Sequence, residues 1–279
     1  MIRPVADLPE TIGAYAIYAI LGYMLIVINR TFAIIRIRAS FQTVIFLLLT
    51  SILPNIHLVN KGCIVAFLCL VSMFLIFQSY QMERSSGLLF HAFLLWSVGC
   101  LLIPKIVWII PYLWFICNVF KTLDLKSLLA SIFGFSIPLA LYAVYDYFFY
   151  QNANLIAKAT EVISLEDLSV ATSQLALVTT LIFLLVIQLV SSFHSIMFSM
   201  EEKVQTRCYL QFLMVFVPIL LVIAICNLSD AWQIIPIMLP GISLLFGHFA
   251  TLSNSKLSNR IFIAVFICII PVFLINLLF

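Results

Sequence analysis

The sequence predicts an all-α fold, a polytopic transmembrane helix bundle of about ten spans with both termini outside. Three observations predict it. First, 65% of the residues are apolar and 9% are charged, and the mean hydropathy is +1.22. A soluble domain is about 45–50% apolar and about 25% charged, so no soluble core could hide this much apolar surface. Second, the apolar residues form long unbroken runs, whereas the strands of a membrane barrel alternate apolar and polar. Third, the basic residues between those runs gather on one side, the pattern that sets orientation in multi-span proteins.

A span needs roughly 17–25 mostly apolar residues. The first, 11–29, follows MIRPVADLPE, which carries two prolines and two acids where a signal peptide would have its charged and apolar regions. It is therefore expected to be retained. The next two are 40–57 and 62–80. Spans four and five, 87–103 and 106–120, read as a tight helical hairpin turned at Pro104-Lys105, because proline disfavours helix at the residue before it. Span six is 127–149. The only outer connection of any length, 150–169, contains Ser164 and Asp167, which resemble a capping box for span seven, 170–198. Spans eight to ten are 209–227, 231–252 and 261–279. The loops leave no room for a soluble domain, so 1–279 reads as a single integral membrane domain.

Charge supports the hairpin. With ten spans, Arg30, Arg36, Arg38, Arg84, Lys121, Lys126, Lys203, Arg207, Lys256 and Arg260 share the inner side. Arg3, Lys61, Lys105 and Lys158 share the outer side. Merging spans four and five flips everything downstream and removes the bias. The net charge of +3 is thus a topology signal and does not suggest nucleic acid. Arg30, Arg36 and Arg38, with apolar residues between them, read as a segment held to anionic headgroups, at about 1 kcal/mol per base.

Two segments echo each other. SYQMERSSG (79–87) and VWIIPYLW (107–114) correspond to FSMEEKVQT (198–206) and AWQIIPIMLPG (231–241). This would be a parallel repeat, 79–149 and 198–279, or a chance match in a chain built mostly of Leu, Ile, Phe and Val. If it is a repeat, the proline-interrupted spans five and nine are where a transporter site would form. Pro111, Asn118, Pro236, Pro240 and His248 are then the candidate lining residues. The alternative places the prolines near helix starts at the outer interface, where they are tolerated.

The remaining polar residues are few. His91 lies about one turn into span four, as a relay group or an interhelical hydrogen bond. His194 and His248 are expected near inner helix ends, within reach of water, and Glu202 in a solvated inner loop. Asp146, the only charge between Lys126 and Lys158, raises the question of function, since an acid in a membrane usually has one. Its tyrosine-rich surroundings suggest the interfacial aromatic belt, so it is expected at the outer headgroup level, ionised and reaching water. The seven cysteines are scattered without CxxC spacing, which points to neither disulfides nor a metal. No cofactor motif and no catalytic signature stands out.

GLLFHAFLLWSVGCLLIPKIVWIIPYLWFICNVFKTLDLKSLLASIFGFSIPLALY (87–142), with its proline-marked hairpin, basic loop and Gly134-to-Pro138 step, resembles a family of uncharacterised multi-pass inner-membrane proteins of Bacteroidota. IPIMLPGISLLFGHF (235–249) is similar to their late span. The resemblance covers about half the chain and implies an inner-membrane location, with no catalytic residues to carry over. Two functions stand nearly level. One is a non-catalytic subunit or assembly factor of an envelope system, partnered by lipid and other membrane proteins. The other is a transporter or permease-like carrier of a lipid or small apolar solute. An enzyme acting on lipid-linked substrates is disfavoured, because holding pyrophosphate calls for clustered bases and the four outer bases are scattered.

Overall fold

The computed structural model describes residues 8–35, 40–82, 84–151, 153–163, 174–198, 202–252 and 256–278. Among them the structure is helical, with no strand. The helices are α1 (Leu8–Phe32), α2 (Phe41–Ile52), α3 (Lys61–Gln78), α4 (Ser86–Leu102), α5 (Ile110–Val119) and α6 (Leu125–Tyr150). They continue with α7 (Ala153–Ile163), α8 (Leu175–Met197), α9 (Val204–Cys226), α10 (Ala231–Leu252) and α11 (Lys256–Leu278). Short 3-10 turns occupy Pro54–Ile56 and Pro104–Ile109.

Each of the ten expected spans contains a helix, and α7 is additional, within the connection read from sequence as a loop. Seven helices, α1, α3, α6, α8, α9, α10 and α11, are long and apolar enough to cross a membrane. The helices α2, α4 and the stretch Pro104–Val119 are shorter. At 1.5 Å per residue α2 is about 18 Å long, against a hydrocarbon core of about 30 Å. Such a helix needs neighbours to shelter its ends, and α2 buries Ile45, Phe46, Leu49 and Ile52. Ser164 and Asp167, the expected capping box, lie outside the described residues, as do Arg36 and Arg38.

The chain divides into two compact units, Met1–Cys63 with Asp167–Phe279, and Ile64–Glu166 inserted between them. The inserted unit is built from hairpins. Ser72 Oγ on α3 donates to the Ala92 carbonyl at 3.1 Å, and Gly99 on α4 faces Val65 and Ile106. Further from the turn, Phe93 stacks on Trp114 at 5.9 Å between centroids. Ser85 then donates to the Thr122 carbonyl at 2.9 Å. These pairs step outward evenly from Pro104, so α5 runs back along α4. The turn forms because Pro104 starts a 3-10 segment while Ile103 before it is extended, at φ −131° and ψ 91°.

Helix α6 crosses α4 at close range. A Cβ on Gly134 would run into the Phe90 carbonyl, so only glycine fits there. The buried residues of α6 are Ser127, Ser131, Gly134 and Asp146. Phe133, Leu141, Val144 and Phe148 are exposed, Phe148 at 75%. Small and polar inside with large and apolar outside is the reverse of a soluble helix. It is the pattern of helices that associate in lipid, where small residues let backbones approach.

The other unit is organised around α10. Residues 234–249 are buried without a break, as expected of a helix apolar on every face. Helices α2, α8 and α9 pack around it, with a smaller contribution from α1. Helix α11 packs on α8 and α2; Asn276 Nδ2 donates to Thr180 Oγ1 at 2.9 Å. Only 17% of the most apolar stretch of α11 is buried, against 89% for α10.

Candidate functional site

The approach of helices to α10 depends on missing side chains. A Cβ on Gly241 would lie 2.7 Å from Val217 Cγ2 of α9. One on Gly247 would lie 3.0 Å from Gln42 Cβ of α2. These contacts hold α9 and α2 against α10, in which Pro236 and Pro240 are also buried. The two prolines therefore do not sit at an exposed helix start.

About two turns beyond Gly241 the same packing gathers ionisable groups. His248, fully buried, places Nε2 3.6 Å from Oε1 of Glu202, the residue two before α9. The His194 ring of α8 is 6.4 Å from that of His248, and lies edge-on to Phe249 at 5.0 Å and against Phe198 at 4.5 Å. His194 is 8% and Glu202 6% exposed. Among the described residues, neither ring nitrogen of His194 and neither amide atom of the buried Gln42 makes a hydrogen bond. The Glu202 carbonyl accepts from Arg207 Nη2 at 3.5 Å.

This corrects the sequence reading of three residues. His194 and His248 are buried rather than open to water, and Glu202 is buried rather than a solvated loop residue. Sequence could not pair them, since the charge lies outside the helices and the histidines look like ordinary end-of-span residues. A carboxylate beside a buried imidazole can share one proton with it, and the pair is ionic only when the imidazole is protonated. Among the described residues no group of three or more His, Cys, Asp or Glu could hold a metal ion.

The remaining predicted residues do not join this cluster. Pro111 and Asn118 of α5 are exposed. His91 is exposed too, its Nδ1 paired with the Gly87 carbonyl of its own helix at 2.7 Å. Arg30 is exposed in the last turn of α1.

Asp146 also departs from expectation. Its neighbours Tyr145 and Tyr147 are exposed, but Asp146 itself is 0% exposed. Its Oδ1 accepts from Asn154 Nδ2 at 2.9 Å. Helix α7 folds back on the end of α6 and covers the carboxylate, and that helix was not foreseen. Nearby, Lys158 of α7 donates to the Leu101 carbonyl and sits over the Tyr142 ring, 4.4 Å from its centroid. Lys105, expected in an outer turn, is 4% exposed.

No family model, no curated protein and no solved structure matches this chain.

Proposed function

We propose that this is an integral membrane protein of ten spans with both termini outside, working as a non-catalytic subunit or assembly factor of an envelope system in a bacterial inner membrane. The bilayer reading draws on the reversed polarity of α6 and the bare apolar surface of α11. The inner-membrane assignment follows from the resemblance to the Bacteroidota family and from the basic side of the loops.

One observation favours the subunit role over a carrier. A carrier's proline-broken helices line its binding site, but here α10 is buried along residues 234–249, Pro236 and Pro240 included. Affinity purification of the tagged full chain from native membranes tests this. A stable membrane-protein partner in stoichiometric amount is expected. Recovery of the chain alone, together with solute uptake by proteoliposomes, would overturn it.

A second reading is a carrier of a lipid or small apolar solute, and the buried His248–Glu202 pair favours it. Buried ionisable groups within membrane proteins commonly serve transport or proton relay. Under this reading, uptake by proteoliposomes is lost in Glu202→Gln while the protein still folds.

A further inference from the structure

We propose that α7 is a membrane-embedded helix, seated in the outer leaflet at the boundary of acyl chains and headgroups and facing lipid with Ile156 and Ala159. The proposal rests on the integral-membrane reading above and extends it to a segment whose sequence gives no sign of a span.

Two independent features carry it. The first is the direction in which α7 turns its side chains. Among the described side chains, Lys158, Glu161 and Val162 are half-buried, while Asn154, Ile156, Ala157, Ala159 and Thr160 are exposed. Its charges therefore point toward the protein. Among the described residues, the two uncharged polar side chains on the exposed face both have partners in the protein: Thr160 Oγ1 donates to the Ala157 carbonyl at 2.7 Å and Asn154 Nδ2 to Asp146 Oδ1 at 2.9 Å. A helix lying in water turns its charged residues outward; this one does the opposite.

The second feature is how the helix ends are closed. The last carbonyls of a helix lack intrahelical partners and are met by side chains, backbone caps or water. Here side chains take them. Lys158 donates to Leu101 O in the last turn of α4. Trp108 Nε1 donates to Val162 O in the last turn of α7, at 3.3 Å. The end of α6 closes through its own backbone, with Gln151 N donating to Asp146 O and Gln151 left-handed at φ 51°, an ending common to helices in any solvent. Satisfying main-chain groups internally is what an environment without water demands.

Lipid is the occupant these features select. The exposed face of α7 follows directly on the exposed end of α6, where Tyr147, Phe148 and Phe149 are 62–75% exposed. Trp108, 60% exposed, adds an indole. Tyr and Trp concentrate at the membrane interface because each joins an apolar ring to a polar tip.

The test is spin-label accessibility on the full chain reconstituted in phosphatidylethanolamine–phosphatidylglycerol vesicles, with Cys208, Cys226 and Cys268 replaced by alanine. Labels at Ile156→Cys and Ala159→Cys are compared with labels at Lys61→Cys and Phe133→Cys. All four positions are exposed, so the substitutions disturb little packing. Ile156 and Ala159 labels are expected to collide several-fold more with oxygen, relative to a nickel chelate, than the Lys61 label does. A ratio equal to that at Lys61 would overturn the proposal. So would low collision rates with both reagents, which would mean that protein covers the helix. The Phe133 label separates the two readings. Aqueous behaviour at Phe133 removes the membrane reading itself, whereas a lipid-like Phe133 with an aqueous Ile156 removes only the placement of α7.

Discussion

Single residues decide how closely these helices pack. Gly134 is pressed against the Phe90 carbonyl, whereas a Cβ on Gly87 would meet nothing within 4 Å. Gly134→Leu is therefore expected to destabilise the inserted unit by at least the 1–3 kcal/mol typical of overpacking. Gly87→Ala should be neutral or slightly stabilising, since alanine favours helix by about 1 kcal/mol over glycine. Thermal unfolding of the two variants in detergent, followed by circular dichroism, checks both. The buried pair allows a second comparison. His248→Leu leaves Glu202 without its imidazole, and where the imidazole is protonated the loss of one partner of a buried ion pair costs about 3–5 kcal/mol. The double variant His248→Leu, Glu202→Leu should recover much of that loss in the same assay. Recovery of nothing would mean that the pair contributes no coupling.

At the scale of elements, α7 depends on side chains of its neighbours. Asp146→Ala removes the acceptor of Asn154, whereas Asp146→Asn keeps an oxygen in its place. Amide exchange by mass spectrometry over 153–163 should quicken several-fold in the alanine variant and stay near native in the asparagine variant. Equal quickening in both would show that charge, rather than the hydrogen bond, holds the helix down. The hairpin of α4 and α5 was readable in advance because Pro104 and the distribution of bases pointed to the same turn. Helix α7 was not. Its eleven residues are too few and too polar for a span, and the groups that meet its Lys158, the Leu101 carbonyl of α4 and the Tyr142 ring of α6, lie elsewhere in the sequence.

For the whole molecule, topology is the open quantity that charge predicts most directly. Lys61, Lys121 and Lys256 are exposed, which makes them better labelling sites than the buried Lys105. In intact cells a membrane-impermeant maleimide should label Lys61→Cys, and should label Lys121→Cys and Lys256→Cys only after permeabilisation. Labelling of Lys61 and Lys256 from the same side would exclude ten spans. The segments 79–149 and 198–279, which echo each other in sequence, fall in different units. Their prolines differ in surroundings: Pro111 is exposed, and Pro236 and Pro240 are buried.

Composition and patterning alone determined that this chain is helical and suited to lipid, because 65% apolar residues in long runs admit few other structures. They also placed a helix within each expected span, since helix length and apolar runs are local properties. Which face of each helix turns inward is a different matter. It depends on who the neighbours are, and only the tertiary structure decided it. Packing moved Asp146 from the surface to a covered site, buried two prolines in α10 and brought His248 to Glu202. Polar groups in an apolar solvent go where a partner is, and the partners here lie 8 residues away for Asp146 and 46 for His248.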